Sequence, residues 1–423
     1  MTALQRAGMG PGRIAYLTGE YPRATDTFIQ REVAALRHQG REVATFSIRR
    51  TGPEHHVGPE QVAEAAATFN VLPAAKNPAR LIAAHVGALL RSPARYLRAI
   101  ALAAGSRPPG IRGALFQLFY FLEAGVLADQ MQRQGIGHLH NHIAKQSCNV
   151  AMLASEMSGI PFSFTLHGPD IFFAPEHWRL DRKIEKARFV ACISHFCRAQ
   201  GMAFSSQDHW QKLHIIHCGV DPARYSPGRR DPAQQVLFVG RLAAVKGVPI
   251  LLHALEALRD VKGLQLDLIG DGPDRAALEA QAHAMGLQDR VRFLGYRSQD
   301  EVADALTRAD LFVLPSFAEG VPVVLMEAMA AGVPVVTTRI AGIPELVEDG
   351  ISGRLVPPGD VDALTTAIRG MFDEPAQARK MGQAGRAVVA VSYDAEVEAC
   401  RLGVLFDAYA GIGAHPPIRP EVT

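Results

Sequence analysis

The sequence predicts an α/β protein built from two doubly wound, parallel-sheet domains, and three observations carry that prediction. Short apolar runs alternate with helix-period segments along nearly the whole chain, the pattern of repeated βα units. At 423 residues the chain exceeds what one ordinary hydrophobic core organises. A stretch rich in Pro, Gly and Arg, containing Pro222, Pro227, Gly228, Arg229, Arg230 and Pro232, splits the alternation into two series. The expected boundaries are therefore 1–225 for a first domain, 231–394 for a second, and 395–423 for a terminal helical segment.

Arg13 to Thr18 (RIAYLT) reads as a short buried strand, followed by the loop GEYPRATDTF, a helical pattern from Ile29 to His38 stopped at Gly40, and a strand from Glu42 to Ile48. Parallel sheets hold ligands at the C-terminal ends of their strands, so Glu20 to Phe28 should line a cleft. The loop has no GxGxxG and so lacks the dinucleotide fingerprint. A helical insertion at about 72–131 follows, with Pro78 and Pro93 at helix starts and a break at Gly105, Pro108, Pro109 and Gly110. No acid occurs between Glu64 and Glu123, while Lys76, Arg80, Arg91, Arg95, Arg98, Arg107 and Arg112 are interleaved with apolar residues. Two readings stand: helices lying on an anionic membrane, with Arg80, Arg91, Arg95 and Arg98 at the lipid, or packed helices with a solvated basic face.

Gly137 to His142 (GHLHNH) and Pro161 to Leu166 (PFSFTL) are the next apolar runs, joined by a helix from Lys145 to Met157 that ends near Gly159. Strand alternation puts His138, His140 and His142 on one face. No carboxylate or cysteine is spaced to complete a metal site with them, which favours packing. The second run delivers His167, Gly168, Pro169 and Asp170. A histidine at a strand's C-terminal edge, before a glycine that admits a ligand close to backbone, is placed for chemistry. Phe189 to Ile193 and Leu213 to His217 complete the first sheet.

The second series has runs at Val236–Val239, Leu264–Ile269, Val291–Phe293, Leu311–Leu314, Val333–Thr337 and Arg354–Val356, before a last helical stretch from Ala395 to Tyr409. Within it, LFVLPSFAEGVPVVLMEAMAAGVPVVTT reads as strand, elbow, helix and strand, with Pro322 in the first helical turn and Gly332 at its C′ position. Glu327 is the only charge between Gly320 and Thr338. A buried carboxylate requires a partner. That partner is an arginine elsewhere, or Glu319 and Glu327 accept hydrogen bonds from the hydroxyls of a sugar or ribose.

GRLAAVKG, Gly240 to Gly247, has the wrong order for a P-loop. Arg241 and Lys246 are either a surface pair or an anion site beside a helix N-terminus. In GDGPD, Asp271 suits a turn and Asp274 a helix start, so no metal is assigned. The loop LGYRS places Tyr296 where it could lie alongside a nucleobase.

A formal charge of +2 gives no global basic face, which argues against nucleic acid as a partner. Five cysteines without a CxxC pair point to reduced thiols and the cytoplasm. MTALQRAGMGPG has no apolar signal core, and the apolar stretches break before spanning length, so neither export nor a spanning helix is expected.

Taken together, HGPD, GRLAAVKG, GDGPD, EGVPVVLME and AGIPELVEDGISG resemble the retaining nucleotide-sugar glycosyltransferases of family 4. YPRATDTFIQREVAALRHQG and PFSFTLHGPDIF are similar to the branch that builds bacterial exopolysaccharides of the colanic-acid type. The resemblance implies the GT-B architecture: two Rossmann-like domains facing a cleft, with the terminal helix crossing back to the first. It implies that Arg241 and Lys246 hold the donor diphosphate, that Glu319 orients the transferred sugar, and that His167 lies near the anomeric carbon. Gly320 and the main chain of Val321 and Val323 would assist at the phosphates and Glu327 at the ribose. Asp170, Gly168, Tyr296 and Thr27 complete the expected substrate-binding set. No metal or cofactor is implied, the nucleotide sugar being a substrate.

The first loop departs from the family pattern. Many similar sequences carry glycines there that approach the donor, whereas this chain has GEYPRATDTF, with Thr25 and Asp26 where they tend to have Ser-Glu. The expected activity is transfer of a sugar from a nucleotide-diphosphate donor, such as a UDP-sugar, to a lipid-linked or polysaccharide acceptor at the inner face of the plasma membrane. A nucleotide-sugar epimerase of the same fold and a non-catalytic sugar-binding protein are the alternatives.

Overall fold

Two parallel sheets hold all the named strands of the computed structural model, which describes residues 12–23, 26–56, 58–168, 173–225, 234–411 and 416–422. The central strands are short runs buried on both faces, which is what helices on either side of a parallel sheet impose. The chain divides into Met1–His217 with Glu396–Thr423, and Cys218–Ala395. The expected linker residues Pro227, Gly228, Arg229, Arg230 and Pro232 lie outside the described residues.

In the first unit the strands are β1 (Arg13–Glu20), β2 (Val43–Arg49), β3 (Phe69–Asn70), β4 (Ile136–His142), β5 (Phe162–Leu166), β6 (Val190–Cys192) and β7 (Leu213–Ile215). Their order across the sheet is β3-β2-β1-β4-β5-β6-β7, all parallel. The second unit has β8 (Gln235–Val239), β9 (Gln265–Ile269), β10 (Val291–Gly295), β11 (Leu311–Leu314), β12 (Val335–Thr338) and β13 (Arg354–Val356), ordered β10-β9-β8-β11-β12-β13. Strand and helix follow one another as the sequence predicts, and the doubly wound class is correct.

Each order reverses direction once. The chain winds outward from β1 to β3 and then resumes at β4 on the other side of β1; it winds from β8 to β10 and resumes at β11 beside β8. Loops leaving the two strands at such a switch point diverge to opposite faces and open a crevice at the C-terminal edge.

The helical insertion consists mainly of Pro78–Arg91, Pro93–Gly105 and Gly110–Arg133. Both prolines open their helices, where a missing N–H costs nothing. His85 fastens the three together, its Nδ1 3.0 Å from the Tyr96 hydroxyl and its Nε2 3.1 Å from the Leu122 carbonyl oxygen. The arginines offered as lipid-facing are exposed and each also has a protein partner. Arg80 donates to Gln130, Arg91 to Asp129, Arg95 to the Ser158 carbonyl and Arg98 to Glu156.

The last helix, Ala395–Ala410, belongs to the first unit. Ala399, Leu402, Leu405 and Phe406 enter the core formed by Ile14, Tyr16, Ile29, Leu36 and Phe189. Phe406 meets Phe189 edge-on with ring centroids 5.6 Å apart. Beside it Glu398, almost fully buried, accepts from the His217 N–H at 2.8 Å and from Arg401 and Arg419 at 2.7 Å each. Three charge-assisted bonds compensate the desolvated carboxylate.

Phe406→Ala should destabilise the first unit by about 3–5 kcal/mol, the cost of emptying a buried aromatic site. Urea unfolding followed by circular dichroism measures it, and a loss under about 1 kcal/mol would show that the helix is not part of this core.

Candidate active site

In the second unit the switch point lies between β8 and β11, and the expected site residues at their C-terminal ends meet there. β8 runs into Gly240 and Arg241, then into a short 3₁₀ turn, Ala244–Lys246. β11 runs into Pro315, Ser316 and the elbow that carries Glu319. Gly247 makes the approach possible. Its φ of +65° is left-handed, and a Cβ there would collide with the Pro315 carbonyl oxygen. The Phe317 N–H donates to the Val245 carbonyl at 2.7 Å, closing one turn on the other.

These contacts bring the Lys246 ammonium to Glu319 Oε1 at 2.5 Å, with both side chains largely buried. Ser316, fully buried, donates its hydroxyl to the same carboxylate oxygen at 2.7 Å. The Thr338 hydroxyl donates to the Ser316 carbonyl at 2.6 Å and fixes the elbow to β12. A carboxylate held by an ammonium and a hydroxyl stays in one orientation, while the ammonium, with three N–H donors, can serve further acceptors.

The helix after the elbow is Val323–Ala330, with Pro322 in extended backbone at the N-cap and not in the first turn. The prediction erred by one residue because Pro fits either position. The far end matches the sequence reading. Gly332 has φ +66°, its N–H donates to the Met329 carbonyl, and the Val333 N–H reaches Ala328, a Schellman closure. Glu327 is half-buried in the second turn. Gly320, Val321 and Val323 lead into the helix, whose first N–H groups have no intrahelical acceptor.

Arg241 is exposed at the edge of β8. The GDGPD turn packs onto the turn after β8: the Leu242 N–H donates to the Asp271 carbonyl at 2.9 Å, and the Asp274 N–H to the Leu242 carbonyl at 3.1 Å. The Asp271 carboxylate accepts from the Gly272 N–H and from Arg275, which lowers its pKa and marks it as structural. Tyr296 is exposed after edge strand β10, two strands from the switch point, so it is not brought to the Lys246–Glu319 pair by the sheet.

The first unit holds the remaining candidates. His167 and Gly168, both buried, follow β5, and Thr27 opens the Thr27–His38 helix; Asp170 lies outside the described residues. His167 belongs to a chain of buried polar groups. Glu32 Oε1 accepts from the Tyr16 hydroxyl at 2.6 Å and lies 2.9 Å from His142 Nε2. His142 Nδ1 is 3.1 Å from His167 Nε2. The carboxylate can only accept, so His142 donates through Nε2 and, when neutral, accepts at Nδ1. His167 must then carry its proton on Nε2 and its lone pair on Nδ1.

The sequence reading missed Glu32, Tyr16 and Ser316. A carboxylate does reach the histidine face, but from a helix more than a hundred positions away, which no local spacing reveals. Ligand atoms of Glu32, His140 and His142 lie within 4.8 Å of one another. Their ring nitrogens are nonetheless engaged: His140 lies 2.8 Å from the Ser163 hydroxyl and 2.9 Å from that of Thr165, and His138 is 2.7 Å from Ser163. Packing with satisfied hydrogen bonds accounts for the face.

Comparison with known proteins adds independent findings. The chain matches the Glycosyltransferase Family 4 profile over residues 27–224 and the Glycosyl transferases group 1 profile over 221–388. It is 30% identical over 292 residues to N-acetyl-alpha-D-glucosaminyl L-malate synthase of Bacillus anthracis, covering 64% of this chain and 75% of that one. It is 32% identical over 210 residues to the amylovoran biosynthesis glycosyltransferase AmsK of Erwinia amylovora, 47% of this chain and 52% of the relative. Against several such relatives the match spans only about half their length. Among solved structures, sucrose-phosphate synthase of Thermosynechococcus elongatus superposes with a TM-score of 0.72 at 22% identity, covering 93% of this chain and 98% of that one. HepE of Anabaena, solved with UDP-glucose, gives 0.68 at 18% identity over 92% and 98%. These likenesses show the fold.

Burial pushes His138 down to about 3 and His217 down to about 4, and holds His140 and His167 well below the ordinary histidine range. Below pH ~6.5 the unfolded chain therefore binds protons that the folded chain refuses, and stability falls as pH falls. Burial also raises Glu123 to about 7 and Glu398 upward, which opposes the trend, but four histidines outweigh two carboxyls. The unfolding free energy of the first unit from urea titrations should drop between pH 7.5 and 5, by roughly 1.4 kcal/mol per pH unit for each net proton. A flat profile would mean that these imidazoles are not buried as described.

Proposed function

The chain belongs to glycosyltransferase family 4, and on that premise we propose that it transfers a sugar from a nucleotide-diphosphate donor to a lipid-linked or polysaccharide acceptor in exopolysaccharide or cell-surface glycan synthesis. The observation that carries this reading is the Lys246–Glu319–Ser316 cluster at the switch point of the second sheet, next to the start of the Val323–Ala330 helix. It sets a fixed cation, an oriented carboxylate and unpaired helix N–H groups where a phosphorylated sugar requires them. The naming of the Erwinia relative for amylovoran synthesis and the UDP-glucose in the Anabaena structure support a UDP-sugar donor and a polysaccharide product.

In this reading Lys246 and Arg241 face the donor diphosphate. The bond from the anomeric carbon to the phosphate oxygen breaks with its electron pair leaving on the diphosphate, and fixed cations act most strongly on that growing charge. The acceptor hydroxyl attacks on the face from which the diphosphate departs. Its proton ends on a phosphate oxygen, so no protein nucleophile enters. Glu319 accepts from hydroxyls of the transferred sugar, Glu327 from the ribose, and the main chain of Gly320, Val321 and Val323 serves the phosphates. Tyr296 is assigned to the base, and His167, Gly168, Asp170 and Thr27 to the sugar and acceptor.

We also assign the protein to the cytoplasmic membrane surface, adding a further apolar face to the basic helices that the sequence suggested. The Gly110–Arg133 helix is, among the described residues, long and apolar enough to cross a membrane, but most of residues 121–131 are buried within the unit. Its first half instead exposes Ile111, Leu115, Leu118 and Phe119 along one face, with Arg107 and Arg112 close by in sequence. An apolar face beside cations, in a 58-residue interval without an acid, suits anionic lipid.

Thermal stabilisation across a panel of nucleotide sugars identifies the donor. Lys246→Ala and Glu319→Ala should each lower kcat/KM by about 10²–10³ with it. Undiminished turnover, or an epimeric nucleotide sugar formed with no nucleotide released, would overturn the reading. For the membrane, Ile111→Glu with Leu118→Glu should abolish sedimentation with phosphatidylglycerol vesicles, and sedimentation equal to wild type would refute the lipid surface.

A further inference from the structure

A second crevice opens in the first unit at its own switch point, between β1 and β4. Thr18, Gly19 and Glu20 come from the end of β1, Arg49 from the end of β2, and Ile143, Lys145, Gln146 and Ser147 from the turn after β4. Arg23 and Asp26 come from the first loop, and Trp178 forms a further part of the lining. The volume is about 310 Å³, near the lower end of the range for small-ligand sites, which fits one sugar residue with a substituent and not an oligosaccharide.

The charges in this crevice are close but poorly matched. Arg23 lies 3.7 Å from both Glu20 and Asp26, and Arg49 lies 3.9 Å from Glu20, all beyond hydrogen-bond length. Arg23 Nε is buried and has no hydrogen-bond partner. Lys145 sits 5.4 Å above the ring of Phe173. Three cations therefore surround the cavity against two carboxylates, and the guanidinium donors are not saturated by protein acceptors.

The turn that presents Lys145 is held firmly. The Lys183 ammonium, fully buried, donates to the Ala144 and Lys145 carbonyls at 2.6 and 2.9 Å, and the Asn141 amide donates to the His142 and Ile143 carbonyls at 3.1 Å each. Ile143 accordingly stays at φ +69°, a conformation that a β-branched residue rarely adopts.

We propose that this crevice binds the acceptor through an acidic sugar: a ring bearing an anionic oxygen group, with Arg23, Arg49 and Lys145 taking the anion, Glu20 and Asp26 accepting from ring hydroxyls, and the Trp178 indole against the apolar face of the ring. The inference rests on the transferase reading and narrows its acceptor to a charged one. The anion has two sources of the same chemistry, the carboxylate of a uronic acid or the phosphate that joins a first sugar to its carrier.

Calorimetric titration of the full chain, saturated with UDP to keep phosphates out of the second unit, separates them. The ligands are methyl glucuronide, glucose 1-phosphate and the neutral methyl glucoside. At least one charged sugar should bind, with the neutral one about ten-fold weaker or worse. Arg23→Gln and Arg49→Gln should each weaken the charged ligand about ten-fold, while Arg49→Lys retains part of the affinity. The glucuronide binding more tightly identifies a uronate acceptor, and the phosphate binding more tightly a sugar phosphate. Equal affinity for the neutral glucoside, no binding of either charged sugar, or affinities unmoved in folded Arg23→Gln and Arg49→Gln variants would overturn the inference. UDP binding without acidic-sugar binding refutes only the charged acceptor; acidic-sugar binding with no binding of UDP or of any nucleotide sugar in the donor panel refutes the transferase reading instead.

Discussion

The reversal of strand order beside β1 and beside β8 is the constraint on which the rest of the structure depends. In a parallel sheet every strand ends at the same edge, but only where the order reverses do neighbouring connections leave toward opposite faces and expose a crevice. The Lys246–Glu319 pair sits at one such point, and the Arg23–Arg49–Lys145 crevice at the other. Each sheet thus provides one place where polar side chains gather at the strand ends, although the strands are mostly apolar apart from the histidine face of β4.

Close backbone approach makes the second of these sheets competent. Gly247 and Gly270 have positive φ, and a side chain on either would strike a carbonyl of the adjoining turn, Pro315 in one case and Gly240 in the other. With those contacts the turns after β8, β9 and β11 form one surface, and an ammonium and a carboxylate seventy-three positions apart share a hydrogen bond. The first unit uses a different device. Its turn after β4 is stiffened by the buried Lys183 ammonium, and its histidine face by Ser163, Thr165 and Glu32. Buried polar groups of this kind stabilise only when fully satisfied, which is why each nitrogen of His140 and His142 has a partner.

Much of this was legible in the chain because the responsible physics is local. Strand and helix were readable from apolar periodicity; Pro78 and Pro93 as helix openers and Gly332 as a C′ residue follow from their own φ preferences. Pro322 was misplaced by one position because two adjacent positions satisfy the same preference. The arginines of the helical insertion left two readings open for a different reason. A basic side chain beside an apolar one looks the same in sequence whether it faces lipid or folds back to Asp129, Glu156 or the Ser158 carbonyl.

The sequence by itself determined the fold class, the two-sheet organisation and the family motifs, since each depends on residue type and short spacing, whereas a shared site for Lys246 and Glu319 was implied only by the family resemblance. Only the tertiary structure decided the partnerships: Ser316 on Glu319, Tyr16 and Glu32 behind His142 and His167, and Glu398 as the buried anchor of the last helix. Such pairings require chain segments that periodicity cannot relate, because the sheet order and the return of the final helix bring them together and no local propensity encodes either.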